Sequence, residues 1–375
     1  MKVLFVSDFL MLGHSGGAHL SIAHLNTLKA IYGKENVIAL ALTYAQKETN
    51  DNYECHSSYS SNIGQLVNVL EGNPHVLNNR INKRILQIIK EEAIDIIFCD
   101  NGYFGKLCKM IKRECPNVLL VSFNHGILRN KTNQQINERK RKIAYWPQIF
   151  GLLRGEKQTS RYADVNIVIN SRDANEFYKA YNKEADIILP AYIEEMKNIE
   201  KSEVISHTAK MLFVGGKFYP NIYGIKWFVK NVLDNLSCSA ELTIVGRGLE
   251  FLCDEPEIKT SKRVKVIGGV DDLSEWYNKS NIVIGPIFHG DGMKTKTAEA
   301  MQFGKIYIGT KEAICGYDDL KPYECNTKEE YIELINRLVE KGVPSYKPEI
   351  REIFDKYYSE KSAESILGKL NDYIK

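Results

Sequence analysis

Residues 285–304 read GPIFHGDGMKTKTAEAMQFG and follow the apolar run 281–284. The run is typical of a buried parallel strand, and the glycine-rich segment after it is typical of a turn. A helix is then predicted to begin near Met293. Because the first N–H groups of a helix lack partners within the helix and its dipole adds positive charge there, this arrangement favours an anion. An ordinary strand–turn–helix connection with solvated lysines is the alternative.

Two lysines and one glutamate on the predicted helix give this stretch its chemistry. Lys294 and Lys296 lie in the first turn, where positive side chains are unfavourable unless an anion is near. Since they are two residues apart on a regular helix, they cannot point the same way, and we expect one of them to reach the anion closely. Glu299 has apolar neighbours and needs a partner, and such a carboxylate commonly binds ribose hydroxyls. An exposed helical glutamate is the alternative; we interpret the anion as a nucleotide diphosphate.

The length and composition predict a soluble protein of two domains. The chain has 375 residues, of which 44% are apolar and 26% charged. Its eight cysteines form no C-x-x-C pair, which is typical of a reducing compartment and speaks against a disulfide framework or a zinc site. The chain opens with a strand pattern and lacks signal-peptide features, and no apolar run approaches the ~18 residues of a membrane span. We therefore expect a cytoplasmic protein.

Positive charge is concentrated in the first half of the chain. Residues 1–190 contain 24 lysines and arginines against 18 acidic residues, whereas the remainder has 26 against 29. This bias is too weak for a nucleic-acid partner but suits an anionic membrane surface. The basic run 139–142 leads into the aromatic and aliphatic segment 143–154, which favours contact with a membrane interface. A charged helix end before a core segment is the alternative.

Short apolar runs alternate along the chain with longer segments in which apolar residues have helical spacing. The runs predicted as strands are 2–7, 36–43, 94–99, 117–123, 164–169, 186–189, 210–214, 241–245, 263–267, 281–285 and 305–309. This alternation is typical of an α/β fold built from βαβ units with parallel sheets.

A polar stretch between residues 190 and 208 separates two halves that each open with a strand and a glycine-bearing loop. We predict a first domain over residues 1–195 and a second over residues 205–346. Two such domains would leave a central cleft for ligands. The terminal segment 347–373 is predicted as one long helix that could cross back to the first domain.

Two candidate ligand-binding features lie in the first half. Gly16 and Gly17 belong to the loop after the first strand, where backbone amides could approach a phosphate or a sugar. His125 follows the predicted strand 117–123, and ligands of open parallel sheets bind beyond the carboxyl ends of the strands. A histidine there could act as a base, a hydrogen-bond donor or a charge partner. A tight turn and a structural histidine are the respective alternatives.

The second half repeats this pattern of polar and glycine residues after strands. Lys217 could meet a phosphate, and Asn221 is predicted to cap a helix over residues 222–235. The other candidates after these strands are Gly215, Gly246, Val270, Gly290, Asp291, Gly292 and Met293.

Taken together, these segments resemble the retaining GT-B glycosyltransferases of the large family often called family 4. Residues 212–228, LFVGGKFYPNIYGIKWF, are similar to that family's strand, glycine loop and helix, and residues 242–246, LTIVG, to its next strand and turn. Residues 286–316 resemble its donor signature. Residues 155–173, GEKQTSRYADVNIVINSRD, resemble the segment before its interdomain crossing.

The resemblance implies two Rossmann-like domains, a nucleotide-sugar donor held mainly by the second, and transfer with retention at the anomeric carbon. It implies neither a cofactor nor an obligatory metal. Glu299 matches the second acid of the family's E-x7-E pattern, which binds the ribose. The first acid falls on Asp291, where many members have glycine. Lys294 and Lys296 match basic positions near the diphosphate.

In the first domain, His125 matches the histidine near the reacting sugar, and Gly16 and Gly17 match the N-terminal loop. We expect an enzyme, peripheral at the inner face of the membrane, that moves a sugar from a UDP-sugar, with a GDP-sugar second, to a glycan or lipid-linked acceptor of a bacterial surface polysaccharide. A nucleotide-sugar 2-epimerase shares the fold, but no clear set of acid–base residues is evident. A non-catalytic GT-B subunit that stabilises a partner enzyme is the other alternative.

Overall fold

The computed structural model of the chain describes residues 1–12, 16–44, 53–74, 76–128, 146–290 and 292–374. The chain divides into two units, one of residues 1–190 with 363–375 and one of residues 191–362. Each unit contains a parallel sheet with helices connecting its strands. The α/β class predicted from the alternating pattern is confirmed.

The sheet of the first unit has seven strands. They are β1 (Val3–Ser7), β2 (Val37–Thr43), β3 (Glu54–Ser57), β4 (Ile96–Cys99), β5 (Leu119–Asn124), β6 (Val165–Val168) and β7 (Ile187–Ile188). Their order is β3-β2-β1-β4-β5-β6-β7, and every neighbouring pair is parallel. All residues of β1, β4, β5 and β6 are buried, which explains why these strands are mostly apolar in the sequence.

The described helices of the first unit are α1 (Gly16–Tyr32), α2 (Asn62–Leu70), α3 (Asn79–Glu91), α4 (Gly105–Glu114), α5 (Trp146–Tyr162) and α6 (Ser171–Tyr181). Helix α3 shows how the sequence specifies them. The Asn78 side chain accepts a hydrogen bond from the Ile81 N–H at 2.9 Å and caps the helix. Ile81, Ile85, Ile88 and Ile89 then form one buried stripe.

The sheet of the second unit has five parallel strands. They are β9 (Thr208–Val214), β10 (Ser239–Val245), β11 (Val264–Gly268), β12 (Ile282–Gly285) and β13 (Ile306–Gly309), in the order β11-β10-β9-β12-β13. Two short strands, β8 (Ile205–Ser206) and β14 (Val343–Pro344), pair antiparallel as a separate two-stranded sheet.

The helices from residue 191 onward follow the same pattern. They are α7 (Tyr219–Asn231), α8 (Pro256–Lys259), α9 (Ser274–Lys279), α10 (Thr295–Gln302), α11 (Lys328–Lys341), α12 (Pro348–Tyr357) and α13 (Glu360–Leu367). A capping box formed by Thr327 and Glu330 begins α11, and Gly342 in the left-handed region (φ 85°) ends it.

Each of the eleven predicted strands overlaps an observed one. The sequence pattern missed β3, β8 and β14. Strand β3 reads ECHS and forms the edge of its sheet, so it needs no continuous apolar run. The other two are only two residues long and offer no period to detect.

The prediction of one terminal helix over residues 347–373 was wrong. The segment forms α12, α13 and a 3₁₀ helix at Gly368–Tyr373. The first break falls at Tyr358, whose carbonyl accepts a hydrogen bond from the Ile193 N–H at 3.3 Å. The Ser359 hydroxyl then accepts from the Ser362 N–H at 3.3 Å, and this bond starts the next helix.

Among the described residues, none of the helices combines the length and apolarity needed to span a bilayer.

Close backbone approach fixes the carboxyl ends of the strands in the second unit. The Gly215 N–H donates to the Val245 carbonyl at 3.0 Å, and the Gly246 N–H donates to the Gly268 carbonyl at 2.7 Å. A Cβ atom added to Gly246 would lie 1.5 Å from the Gly215 carbonyl oxygen, a distance that no side-chain movement can relieve. Glycine at residue 246 therefore lets β9, β10 and β11 end side by side.

We expect Gly246→Ala to lower the free energy of unfolding by about 3 kcal/mol, because the backbone itself has to move. Gly216→Ala is the matched control, since nothing lies within 4 Å of its added Cβ and the residue is exposed. It should stay within about 0.5 kcal/mol of the parent. Urea denaturation followed by tryptophan fluorescence measures both. Equal stability of the two variants would contradict the packing described for Gly246.

Candidate functional site

The second unit has a point where the chain changes direction across the sheet, between β9 and its neighbour β12. Chain order runs outward from β9 to β10 and β11 on one side and from β12 to β13 on the other. Loops after the two central strands diverge there and leave room for a ligand at their carboxyl ends. Helix α10 follows β12 and begins at Thr295, two residues later than predicted, because Lys294 has an extended backbone (φ −96°, ψ 111°) and is the N-cap. The Lys294 side chain makes no capping bond to the first turn.

Lys294 is held by an acidic side chain. Its Nζ atom lies 2.9 Å from Glu312 Oε1 and donates to the Gly292 carbonyl at 2.9 Å. The Tyr317 hydroxyl donates to the Lys294 carbonyl at 2.9 Å. The charge of Lys294 is therefore largely balanced within the protein.

Lys296 has a different environment. Its Nζ atom donates to Asn221 Oδ1 at 2.9 Å and lies 5.6 Å from the centre of the Phe213 ring. In the described part of the chain it forms no ion pair. Burial lowers the pKa of Lys296 to about 8; the charge of Glu299 opposes this shift and that of Lys294 adds to it. Because its hydrogen-bond partner among the described residues is a neutral amide, this partly buried cation would be stabilised by an anion.

Asn221 connects the segments that follow β9 and β12. The prediction that it caps a helix over residues 222–235 was wrong, because α7 already begins at Tyr219 with Pro220 in its first turn. Asn221 instead lies inside the helix with a buried side chain. Its Nδ2 donates to the Gly216 carbonyl at 3.0 Å while its Oδ1 accepts from Lys296. The amide thereby ties the loop after β9 to the helix after β12.

Glu299 lies one turn further along α10 and is partly buried. The buried Tyr277 hydroxyl donates to Glu299 Oε2 at 2.8 Å. Burial first, and then the charge of Glu299, raise the pKa of Tyr277, so the hydroxyl remains a donor. The Tyr277 ring stacks on Phe303 with centroids 4.9 Å apart. The carboxylate is thus fixed in direction by a rigid aromatic partner.

The remaining predicted residues of the second unit lie in the loops after its strands. Lys217 is exposed, and its Nζ atom lies 5.3 Å from the centre of the Phe251 ring. The backbone N–H of Lys217 donates to the Arg247 carbonyl at 3.3 Å. Val270 follows β11 and is partly buried.

The turn before α10 uses two glycines with positive φ, Gly290 (155°) and Gly292 (64°). Met293 is buried, and its Sδ accepts from the Ala191 N–H at 3.4 Å, so its side chain serves packing. Asp291 lies outside the described residues, as does the basic run 139–142.

The first unit has its own change of direction, between β1 and β4. Asp100 follows β4 there and is completely buried. One carboxylate oxygen accepts from His24 Nδ1 at 2.8 Å and His125 Nε2 at 3.2 Å. The other accepts from the Ser7 hydroxyl at 2.9 Å and from the Ser21 hydroxyl. Burial alone would raise the pKa of Asp100, but the His125 and His24 imidazoles hold it well below its usual range.

An ionised Asp100 fixes the tautomers of both histidines. A carboxylate can only accept, so His24 carries a proton on Nδ1 and His125 carries one on Nε2. Nδ1 of His125 is then the ring nitrogen left to accept a hydrogen bond. Phe9 and Phe123 lie against the His125 ring with centroids 4.5 and 4.8 Å away. The two aromatic rings thus fix the position of the His125 ring, and Asp100 fixes its tautomer.

His24, Asp100 and His125 also offer three potential ligand atoms within 4.8 Å of one another, and they are the group in the described residues that could hold a metal ion. This group could not be predicted from the sequence, because the three residues are far apart in the chain. Both histidines contact Asp100 through direct hydrogen bonds, which account for the same proximity without a metal ion.

Gly16 and Gly17 were predicted in a loop but are the first residues of α1. A Cβ atom on Gly17 would lie 2.6 Å from the Phe9 ring, whereas Gly16 has open space around it. Residues 13–15 of the same loop lie outside the described residues. The two glycines therefore present backbone at a helix N-terminus.

Asp100, His24 and Glu312 were not found from the sequence. One available signal for Asp100 was its position directly after the predicted strand 94–99, the same reasoning that singled out His125. Glu312 lies three residues after the predicted strand 305–309, so the same signal was available for it, whereas His24 lies inside a helix and carries none.

We expect the protein to lose stability as the pH falls below about 6.5. Burial lowers the pKa of His24, so the folded state favours its neutral form and the stability it contributes is present above the unfolded pKa and lost as pH falls. Its share of the slope is up to about 1.4 kcal/mol per pH unit. His24→Gln, which can still donate to Asp100, should have a shallower slope between pH 7 and 5 in urea denaturation. A slope equal to the parent's would contradict this role.

The family model of the glycosyl transferases group 1 matches residues 208–340, which contain β9 to β13 and both lysines. Solved structures match the whole length. A structure of Anabaena Alr3699/HepE in complex with UDP-glucose covers 99% of this chain and 100% of its own, with a TM-score of 0.64 and 15% identity. A structure of WaaG, a glycosyltransferase involved in lipopolysaccharide biosynthesis, covers 99% of both chains with a TM-score of 0.59 and 14% identity.

A curated relative, described as an uncharacterized 44.6 kDa protein in the cps region of Klebsiella pneumoniae, is 23% identical over 239 residues. That match spans 60% of this chain and 60% of the relative's length. At these identities the structures show the fold. The chain therefore has the GT-B fold of these glycosyltransferase structures, and its residues 208–340 match the model of the glycosyl transferases group 1.

Proposed function

We propose that this protein transfers a sugar from a nucleotide-sugar to a glycan or lipid-linked acceptor, with retention at the anomeric carbon. A UDP-sugar is the favoured donor and a GDP-sugar the second. The observation that carries this proposal is Lys296, a partly buried cation that among the described residues is held by the Asn221 amide alone, at the point where β9 and β12 diverge. A donor diphosphate is the anion that such a position would bind.

The relatives support the same reading. The HepE structure contains UDP-glucose, WaaG is involved in lipopolysaccharide biosynthesis, and the Klebsiella relative belongs to a cps region. We therefore place the activity in bacterial capsule or other surface-glycan synthesis. The chain would act in the cytoplasm at the inner face of the membrane, with the basic run 139–142 contributing to membrane contact.

The chemistry would place growing negative charge on the nucleotide diphosphate. The bond between the anomeric carbon and the diphosphate oxygen breaks, a bond from that carbon to the acceptor oxygen forms on the same face, and the acceptor proton passes to the leaving diphosphate. Lys296 and the N-terminus of α10 would stabilise that leaving group, since preorganised charge is most effective where charge develops. We expect no obligatory metal in this step.

Glu299 would bind the ribose. Tyr277 holds one carboxylate oxygen, which orients the group as a hydrogen-bond acceptor for a diol. The place of His125 near the reacting sugar comes from the family resemblance and stays a prediction. Within the first unit, Asp100 acts on it as a positioning residue.

A panel of nucleotide sugars tests the proposal, because slow donor hydrolysis needs no acceptor. We expect a UDP-sugar to be hydrolysed, with EDTA leaving the rate unchanged. Loss of activity in EDTA that Mn²⁺ or Mg²⁺ restores would assign a metal, and His24, Asp100 and His125 would be its candidate ligands. Absence of both nucleotide binding and hydrolysis would favour a non-catalytic subunit, and an epimerised sugar would favour the 2-epimerase.

Glu299→Ala serves as the variant with a damaged donor site. Two lost hydrogen bonds to a charged group are worth on the order of 3 kcal/mol, so UDP affinity measured by calorimetry should fall about a hundredfold. Glu352→Ala, an exposed glutamate on α12, is the matched control and should bind UDP like the parent. Unchanged affinity in Glu299→Ala would remove the ribose assignment.

The two lysines should differ in their effect on turnover. Lys296→Ala is expected to lower kcat by ~10²–10³ and to affect donor binding less, because the charge that Lys296 meets grows in the transition state. Lys294→Ala should have a smaller effect, since Glu312 already balances that cation. Donor affinity of the parent should also weaken as pH rises through about 8, where free Lys296 loses its proton. Parental kcat in both alanine variants would show that something else holds the diphosphate.

A further inference from the structure

Helix α2 has an apolar stripe that faces solvent. Ile63, Leu66, Val67 and Leu70 are spaced as one face of a helix, and their exposed fractions are 76, 47, 46 and 71%. In a helix that only packs on its own domain, such a stripe would be turned inward. Contiguous exposed apolar side chains of this kind mark contact with a membrane or another molecule.

The opposite side of α2 is already occupied. Helix α2 packs against α5, and a Cβ atom added to Gly151 of α5 would lie 2.9 Å from Val69 Cγ1. This close approach fixes which side of α2 is inward. Phe150, the residue before Gly151, is 66% exposed and adds a large apolar side chain on α5.

A basic groove adjoins this stripe. It is a cavity of about 400 Å³ whose charged lining residues are Lys83, Lys106, Lys109, Arg113, Arg154 and Glu71. Glu71 directly follows Leu70, the last residue of α2, and Arg154 lies one helical turn after Phe150. The apolar stripe and the groove are therefore parts of one surface of the first unit, which we call the α2–α5 surface.

The positive charge of the groove is poorly balanced. Among the described lining residues, five cationic side chains face a single acidic one. Lys106 Nζ lies 4.0 Å from Glu71 Oε2 and Arg113 pairs with Glu114 at 2.8 Å. Lys83, Lys109 and Arg154 form no ion pair among the described residues, and all three are exposed. Burial lowers the pKa of Lys106, with Glu71 opposing the shift, so a further anion there would be favourable.

We propose that the α2–α5 surface docks on an anionic lipid bilayer, with the stripe of α2 and Phe150 entering the interface and the groove receiving lipid phosphates. Apolar side chains beside lysines and arginines are the composition by which a helix lies in a membrane interface. The groove is the reason to favour a membrane over a second protein. An apolar face alone would fit either partner, whereas the unbalanced positive charge of the groove favours a partner with anionic groups. This surface is formed by described residues alone and does not depend on the basic run 139–142 or on the donor site.

Cosedimentation with vesicles tests the charged part. Vesicles of phosphatidylcholine with 30% phosphatidylglycerol should bind the full chain, and vesicles of phosphatidylcholine alone should bind it much less. The triple variant Lys83→Gln, Lys109→Gln, Arg154→Gln should bind the anionic vesicles roughly a hundredfold more weakly, since each charge near such a surface contributes about a fivefold factor.

A matched control removes as much charge elsewhere. Lys210, Lys262 and Lys265 line a cavity of about 330 Å³ in the second unit, and their triple replacement by glutamine should leave vesicle binding at the parental level. Equal weakening by both triple variants would mean unspecific attraction by net charge and would overturn the proposal.

A further variant tests the apolar part. Ile63→Ser, Leu66→Ser and Leu70→Ser together should weaken binding at least ~tenfold while keeping its dependence on salt. Parental binding by this variant would overturn docking through α2. So would a concentration-dependent dimer of the parent in light scattering that the serine variant abolishes, because a second copy would then cover the stripe. Donor hydrolysis without vesicles should be unchanged in all these variants, which keeps this test separate from that of the proposed activity.

Discussion

Parallel pairing sends the loop after every strand to the same edge of its sheet, and both units are organised by this constraint. In each of them the chain reverses its direction of growth once, at β1 and β4 or at β9 and β12. The loops at that point carry the polar groups that the cores exclude. Asp100 follows β4, His125 follows β5, and the helix with Lys296 and Glu299 follows β12. In both units the polar candidate side chains therefore lie at the point where the strand order reverses.

The two units handle a buried charge in opposite ways. Asp100 is fully paired: two imidazoles and two hydroxyls surround its carboxylate, and the charged form is favoured despite complete burial. Lys296 is underpaired, with one amide oxygen at 2.9 Å and a pKa drawn down by burial. A charge whose hydrogen bonds are all made rigidifies its surroundings, whereas a charge that lacks partners is stabilised when an oppositely charged ligand binds. The first arrangement suits a positioning role and the second suits anion binding.

Much of the fold could be predicted because buried parallel strands are apolar runs with a length and flanks that the sequence displays. The predicted helix boundaries were wrong where tertiary contacts determine where a helix begins or ends. Helix α7 begins before the predicted start, with Pro220 in its first turn and the Asn221 amide buried. The terminal segment breaks at Tyr358, where the Ile193 N–H binds the Tyr358 carbonyl. The candidate site was predicted where residues follow strands directly. Its partners were not, because His24, Tyr277 and Glu312 come from elements distant in sequence and only folding brings them to Asp100, Glu299 and Lys294.

The return of the chain to the first unit makes the second unit an insertion. Residues 191–362 are continuous, but the first unit is assembled from residues 1–190 and 363–375. The Tyr32 hydroxyl, near the start of the chain, donates to Asn371 Oδ1 at 3.0 Å near its end. A fragment that stops before residue 363 would lack the last part of the first unit. The inserted unit is connected to the first unit at two places in the chain, near residues 190 and 363. Recombination that exchanges the inserted unit for another would thus need two crossovers, and the first unit would keep both of its terminal segments.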